Sequence, residues 1–283
     1  MLPLSGGVLP VSAQGEDAMR LLVLAAAALA PAAAFATPTE NRVILVLPAP
    51  GAVVVDAKTG DWDLSGGIFC SDDVEKTRDE GSFWFHVMYD ARNLYVLAHV
   101  KDPTPLDNYR PKAEGSGYLD DCLQFRLFTD RACHVTGWRD RNGVPVMDIV
   151  YGSFEVGEEG KLPDAFPEGA QMAFALDEDR KGYVQEIALP WKLISRAGEP
   201  LAGGQSCSMT AQCMINNAWT VGDLYAPNAD RGMAFFYVDS WGAARFLRKG
   251  TCKPVALRLA DGRELHVAMA GAAPKVDWSR LSK

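Results

Sequence analysis

The chain has 283 residues, 48% of them hydrophobic and 23% charged, and carries a formal net charge of −8. That much apolar material can bury a core of domain size, which argues against general disorder. The acidic balance, with no block of Lys or Arg, argues against a nucleic-acid or anionic-membrane partner, because binding a polyanion relies on clustered cations to displace counterions.

In chain order, the first signal is Met19-Arg20 followed by "LLVLAAAALAPAAAFA" and a polar Thr-Pro-Thr-Glu. This reads as a secretory signal starting at Met19 and cleaved after Ala36, which sends the mature chain to the periplasm or the exterior. The run is Ala-rich and broken at Pro31, so a retained membrane helix is the weaker reading. No cysteine stands at the cleavage point to take a lipid. Export makes Cys70, Cys122, Cys133, Cys207, Cys213 and Cys252 candidates for disulfides, although their spacing assigns no pairing and fits no zinc pattern.

Strand signals dominate the rest. A short strand is expected at 53–56. Residues 83–89 and 94–100 read as an antiparallel hairpin around Asp90-Ala91-Arg92-Asn93, central because both faces are apolar. In "DDCLQFRLFTD" the period is two: Leu123, Phe125 and Leu127 point one way, and Cys122, Gln124 and Arg126 the other. Further strands are expected at 145–151, 170–176, 183–189, 206–215 and 233–238, with one short helix at 191–198. Residues 250–283 read as a C-terminal hairpin and tail. Many short strands and almost no helix predict an all-β sandwich or barrel. The domain runs from 37 to 249, behind an extension and signal peptide at 1–36.

"VVVDAKTGDWDLSG", "YDARNLYVLAHVKDPTP", "YLDDCLQFRLF" and "GYVQEIALPWKLI" occur in the order seen in the family 9 carbohydrate-binding modules and their DOMON-like relatives, which the chain resembles over residues 50 to 247. The resemblance implies an antiparallel β-sandwich of the immunoglobulin-like or jelly-roll kind and a noncatalytic role in binding a polysaccharide or glycan. In the sugar-binding members two aromatic rings sandwich a terminal sugar. The matching positions are Tyr118 and Trp241, with Gln124 at a family carboxylate and Asp239 near a family Asn. A pyranose has an apolar C–H face and a rim of hydroxyls, so flat rings grip it from above and below while planar polar groups such as Gln124 and the Arg126 fork meet its edge.

Other readings stand beside this one. Tyr118 and Trp241 also read as plugs at the ends of the sandwich, and Trp62, Trp84 and Trp191 suit the core. His86 and His99, on neighbouring hairpin strands, suit satisfied interior histidines better than metal ligands. Asp120-Asp121 reads as a strand-entry cap. No cofactor is required, yet family 9 modules can carry structural calcium, for which Asp90, Asn93 and Asp102, or Asp56, Asp61 and Asp63, offer oxygen ligands. The DOMON-like relatives suggest the main alternative, a noncovalent b-type haem held by Met209, Met214, Met233, His86 or His99. Covalent haem is excluded, since Asp130 stands where C-x-x-C-H needs its first cysteine. A glycosidase would need paired carboxylates, such as Glu155 with Asp148, or Glu186, and the sequence supports it no further than the presence of these acids.

Overall fold

A computed structural model describes residues 36–110, 117–153, 157–162, 166–215, 219–229, 237–249, 256–265, 267–270 and 273–280. All but the last residue of the expected signal segment lies outside them, and among the described residues no helix is long and apolar enough to cross a membrane. The strands are β1 (Val43–Pro48), β2 (Ile68–Ser71), β3 (Ser82–Tyr89), β4 (Asn93–Lys101), β5 (Cys122–Phe128), β6 (Ala132–Arg139), β7 (Pro145–Ser153), β8 (Gly157–Lys161), β9 (Gln171–Leu176), β10 (Gly182–Pro190), β11 (Ser206–Ile215), β12 (Trp219–Asp223) and β13 (Gly242–Phe246). One helical turn, α1 (Trp191–Ile194), replaces the longer helix expected there. Two small hairpins follow, β14 (Leu257–Arg258) with β15 (Glu264–Leu265), and β16 (Val267–Ala270) with β17 (Ala273–Val276).

Strand order is β8-β7-β6-β5-β11-β13-β1-β3-β4-β10-β9, with β12 on β11 and β2 on β3. The path folds back on itself at β1, whose first half pairs with β13 and whose last two residues pair with β3. The β-sandwich is as expected, and its described pairings are antiparallel except for these two, which are parallel. The two halves face each other over one core, with Phe125, Val135, Ile149 and Ala211 on one side and Phe85, Val96, Ala98 and Ile187 on the other. Phe85 and Phe125 meet across it with ring centroids 6.4 Å apart. Alternation along each strand sorts these residues inward.

A polar group also crosses the core. Gln185, wholly buried on β10, donates from Nε2 to the Gly137 carbonyl of β6 at 3.1 Å. A Cβ at Gly137 would stand 2.8 Å from that nitrogen, so a larger residue there would push the Gln185 amide aside. Cys122, Cys133, Cys207 and Cys213 are free thiols, so these four form none of the expected disulfides. Burial pushes the Cys122, Cys133 and Cys207 thiols up to about 12. Cys252 lies outside the described residues.

The sequence motifs turn out to be latches. Glu186 points away from the core and accepts from the Asp56 and Ala57 N–H groups at 2.9 and 2.7 Å and from Trp62 Nε1 at 2.9 Å. It thereby holds the loop after β1 in place, and residues 53–56 run as loop where a strand was expected. Trp191 closes the other end of β10, its backbone N–H and ring Nε1 reaching the carbonyls of Arg92 and Asp90 at 3.1 and 3.0 Å. Trp62 and Trp191 are buried, as expected, and Trp84 is partly so.

At the β9–β10 turn, Asp177 accepts from His99 Nε2 at 2.9 Å and Lys101 Nζ at 2.6 Å. Burial raises its carboxyl pKa, but the bonds from His99 and Lys101 outweigh this and hold it at about 2. A depressed folded pKa gives stability that is present above the unfolded value and disappears as pH falls towards 2. Asp177→Asn is therefore expected to flatten the acid limb between pH 4 and 2, removing about 2 kcal/mol of pH-dependent stability in urea titrations.

Candidate functional site

The sandwich has two outer faces. Outside β3, β4 and β10, the loop after β1 covers Met88, Tyr95 and Leu97 with Trp62 and Leu64, and the C-terminal hairpins cover Phe69 and Trp84 with Leu257, Leu265 and Trp278. The outer face of β5, β6 and β11 differs, because polar side chains occupy its middle. Register puts Gln124 opposite Thr136 and Gln212, and Arg126 opposite His134 and Thr210. Apolar clusters bound this strip at both ends: Cys122, Trp138, Val146 and Met214 at the start of β5, and Ala132, Phe128, Val238 and Trp241 at its end.

Hydrogen bonds run through the strip. Gln124 Oε1 accepts from Gln212 Nε2 at 3.0 Å and lies 3.3 Å from His134 Nε2. Arg126 Nη2 is 3.2 Å from His134 Nδ1. A guanidinium only donates, so Nδ1 accepts and the ring proton sits on Nε2, where it serves Gln124. Burial, reinforced by the Arg126 charge, drives His134 down to about 3, so the imidazole stays neutral. Burial also lowers Arg126 to about 10, which leaves it charged at neutral pH. Beside the strip, Asp148 on β7 pairs with Lys161 of β8 at 3.3 Å. The result is a row of planar donors and acceptors, each oriented by its neighbour.

Of the residues expected in a sugar site, Gln124 and Arg126 are brought together here. Gln124 is only 4% exposed, and its oxygen is engaged by Gln212 and His134, so it orients the groups beside it. Tyr118 is 49% exposed, in a 3₁₀ turn (Gly117–Leu119) ahead of β5. Gly117 lies directly on the Trp138 ring, where a Cβ would come within 2.4 Å.

Trp241 and Asp239 do not join them. Trp241 is 3% exposed and packs on Phe128, Ala132 and Val238, with Asp239 exposed beside it. That is the far end of β5 from Tyr118, roughly 20 Å along a seven-residue strand. The expected sandwich of Tyr118 and Trp241 around one sugar is corrected accordingly: one ring is sealed in packing, and the two stand at opposite ends.

The calcium ligands also fail to converge. Asp90 Oδ1 accepts the Arg92 and Asn93 N–H groups of its own hairpin turn at 2.7 and 2.8 Å, while Oδ2 takes the Tyr95 hydroxyl at 2.9 Å. Asp102 lies beyond the other end of β4, bonded to Thr104 N at 2.8 Å. Asp61 and Asp63 likewise accept from Val54 N and Ser65 N, and Asp56 pairs with Lys58. Among the described residues no three His, Cys, Asp or Glu side chains are grouped to hold a metal, so this donor set does not fit calcium. Asp120 and Asp121 hold the entry loop, through Arg110 and through the Asp107 N–H at 2.7 Å.

The haem candidates diverge in the same way. Met209 points into the core, while His86 lies on the outer face of β3 and His99 is bound to Asp177; Met233 lies outside the described residues. His86 and His99 are diagonal neighbours, since His86 registers with Leu97 and Trp84 with His99. Glu155 also lies outside the described residues, and Asp148 and Glu186 sit on opposite outer faces, so they form no catalytic pair.

His134, Thr136 and Gln212 were missed in the sequence. The alternation in "ACHVTGWR", with Cys133 and Val135 inward against His134 and Thr136 outward, carried the signal.

No family model matches the chain, and no curated protein matches it. Among solved structures it is similar to a family 9 carbohydrate-binding module from Caldicellulosiruptor kristjanssonii in complex with glucose, with 18% identity over 74% of this chain and 100% of that one, at a TM-score of 0.46. It is also similar to a "putative carbohydrate-binding protein" from Bacteroides uniformis, with 13% identity over 72% of this chain and 99% of that one, at a TM-score of 0.48.

Proposed function

We propose that the chain is an exported, noncatalytic carbohydrate-binding domain that recognises a glycan through the polar strip on β5, β6 and β11. The observation that carries this is the chain of bonds Arg126–His134–Gln124–Gln212, planar polar groups held in register on the face turned away from the core. Sugar hydroxyls are met best by groups of this kind, whose geometry is fixed before binding. Arg126, His134 and Gln212 are half-buried and form the contact layer, with Gln124 behind them. The exposed ring of Tyr118 at the rim supplies a stacking surface for a pyranose face.

A glycan array on the purified protein, followed by calorimetry on the strongest hit, tests the reading. Arg126→Ala is expected to weaken binding about tenfold or more and Gln212→Ala about fivefold, since a hydrogen bond to a charged group contributes about 1.5–3 kcal/mol and a neutral one about 1. Unchanged affinity in both variants would move binding off this face. Release of reducing sugar from the bound glycan would refute the noncatalytic part.

A further inference from the structure

The loop ahead of β5 presents a second ring. Asn108, 1% exposed, donates from Nδ2 to the carbonyls of Gly117 at 2.8 Å and Asp121 at 3.0 Å, and its Oδ1 accepts the Arg110 N–H at 3.0 Å. The Arg110 carbonyl in turn accepts from Trp138 Nε1 at 2.8 Å, and its guanidinium pairs with Asp120 at 2.9 Å. Tyr109 therefore sits between two anchored residues. Asp107, two residues before it, is tied to Asp121 through its backbone N–H at 2.7 Å. Tyr118 is held in the same way, between Gly117 on the Trp138 ring and Leu119 in the 3₁₀ turn.

All this anchoring fixes the backbone of two residues whose rings are not used by the core: Tyr109 is 62% exposed and Tyr118 49%. A tyrosine serving the fold would bury its ring and bond its hydroxyl inside. A flat ring with two torsions, standing in water on a rigid backbone, loses little conformational entropy when something stacks on it. The Asn108 amide joins residue 108 to the carbonyls of Gly117 and Asp121, so Tyr109 and Tyr118 each follow a residue of one hydrogen-bonded pair, ahead of the start of β5.

We infer that Tyr109 is a second stacking platform beside Tyr118, and that the ligand is a chain of at least two pyranose units lying across both rings. The inference rests on the carbohydrate reading of the strip. It replaces a clamp on one terminal sugar with two platforms along a chain, each ring taking the apolar face of one unit.

The test is calorimetry with mono-, di- and hexasaccharide ladders of β-1,4-linked glucose and xylose, extended to the repeat unit of the best array hit. Wild type is expected to gain about tenfold in affinity from mono- to disaccharide. Tyr109→Ala is expected to abolish that gain while leaving monosaccharide affinity within about twofold; Tyr109→Phe, which keeps the ring, retains most of it; Tyr118→Ala lowers affinity at every length. Melting curves matching wild type show that the variants fold. A length dependence unchanged in Tyr109→Ala would overturn the second platform and leave the strip standing, whereas a wild type that binds nothing on the array would remove both.

Discussion

Trp241→Ala is expected to cost about 3–5 kcal/mol of folding stability, the range for emptying a buried tryptophan site, and to leave glycan affinity at the polar strip unchanged in whatever fraction remains folded. The ring is 3% exposed against Phe128, Ala132 and Val238, and it follows the turn that leads into β13. β13 lies between β11 and β1, so the cluster braces the region where the sheet path folds back. Urea unfolding followed by near-ultraviolet circular dichroism reads the loss directly. A stability change below about 1 kcal/mol accompanied by weakened sugar binding would restore Trp241 as a ligand platform.

The second large effect is expected at Glu186. Glu186→Ala leaves the Asp56 and Ala57 N–H groups and the Trp62 indole without their acceptor, together with the space the side chain filled. Each buried donor that loses its partner costs about 1–3 kcal/mol, so a total of about 3–5 kcal/mol follows once water reaches the two loop amides. The damage is local at first. Amide exchange at residues 56, 57 and 62 is expected to accelerate more than exchange in β5 or β11, because the latch holds the loop after β1 and touches neither strand. Uniform acceleration across both sheets would mean that the latch supports the whole sandwich.

These two residues also mark what the sequence does and does not convey. The hairpin of β3 and β4 is plain in "FWFHVMYDARNLYVLAHV", because both strands are apolar and the Asp90 turn is local. Gln124 and Arg126 are correctly placed on the outward side of β5 by simple alternation. What alternation cannot supply is which side of the sheet another part of the chain will cover. In "DSWGAARFL" Trp241 reads equally as a platform or a plug, and the choice is made by Ala132 and Phe128, which arrive from a hairpin more than a hundred residues earlier. Likewise Asp90, Asn93 and Asp102 look like a ligand set on paper, but nine residues of extended strand separate Asp102 from the turn. β1 went unread because its run, "VILVLP", is a short apolar stretch whose role depends on two partners, β13 and β3, on either side of it. The strip was half visible for the same reason: His134 and Gln212 enter it only through pairings of β6 and β11 with β5.

The most direct test of the account is a titration of the protein with its strongest array glycan, followed by nuclear magnetic resonance of the side-chain amides of Gln124 and Gln212, the His134 ring and the indoles. The account predicts saturable shifts at Gln212, Gln124 and His134, in step with the Tyr118 ring, while the indole of Trp84 on the opposite outer face stays still. Shifts concentrated at Trp84, with the strip unmoved, would contradict it.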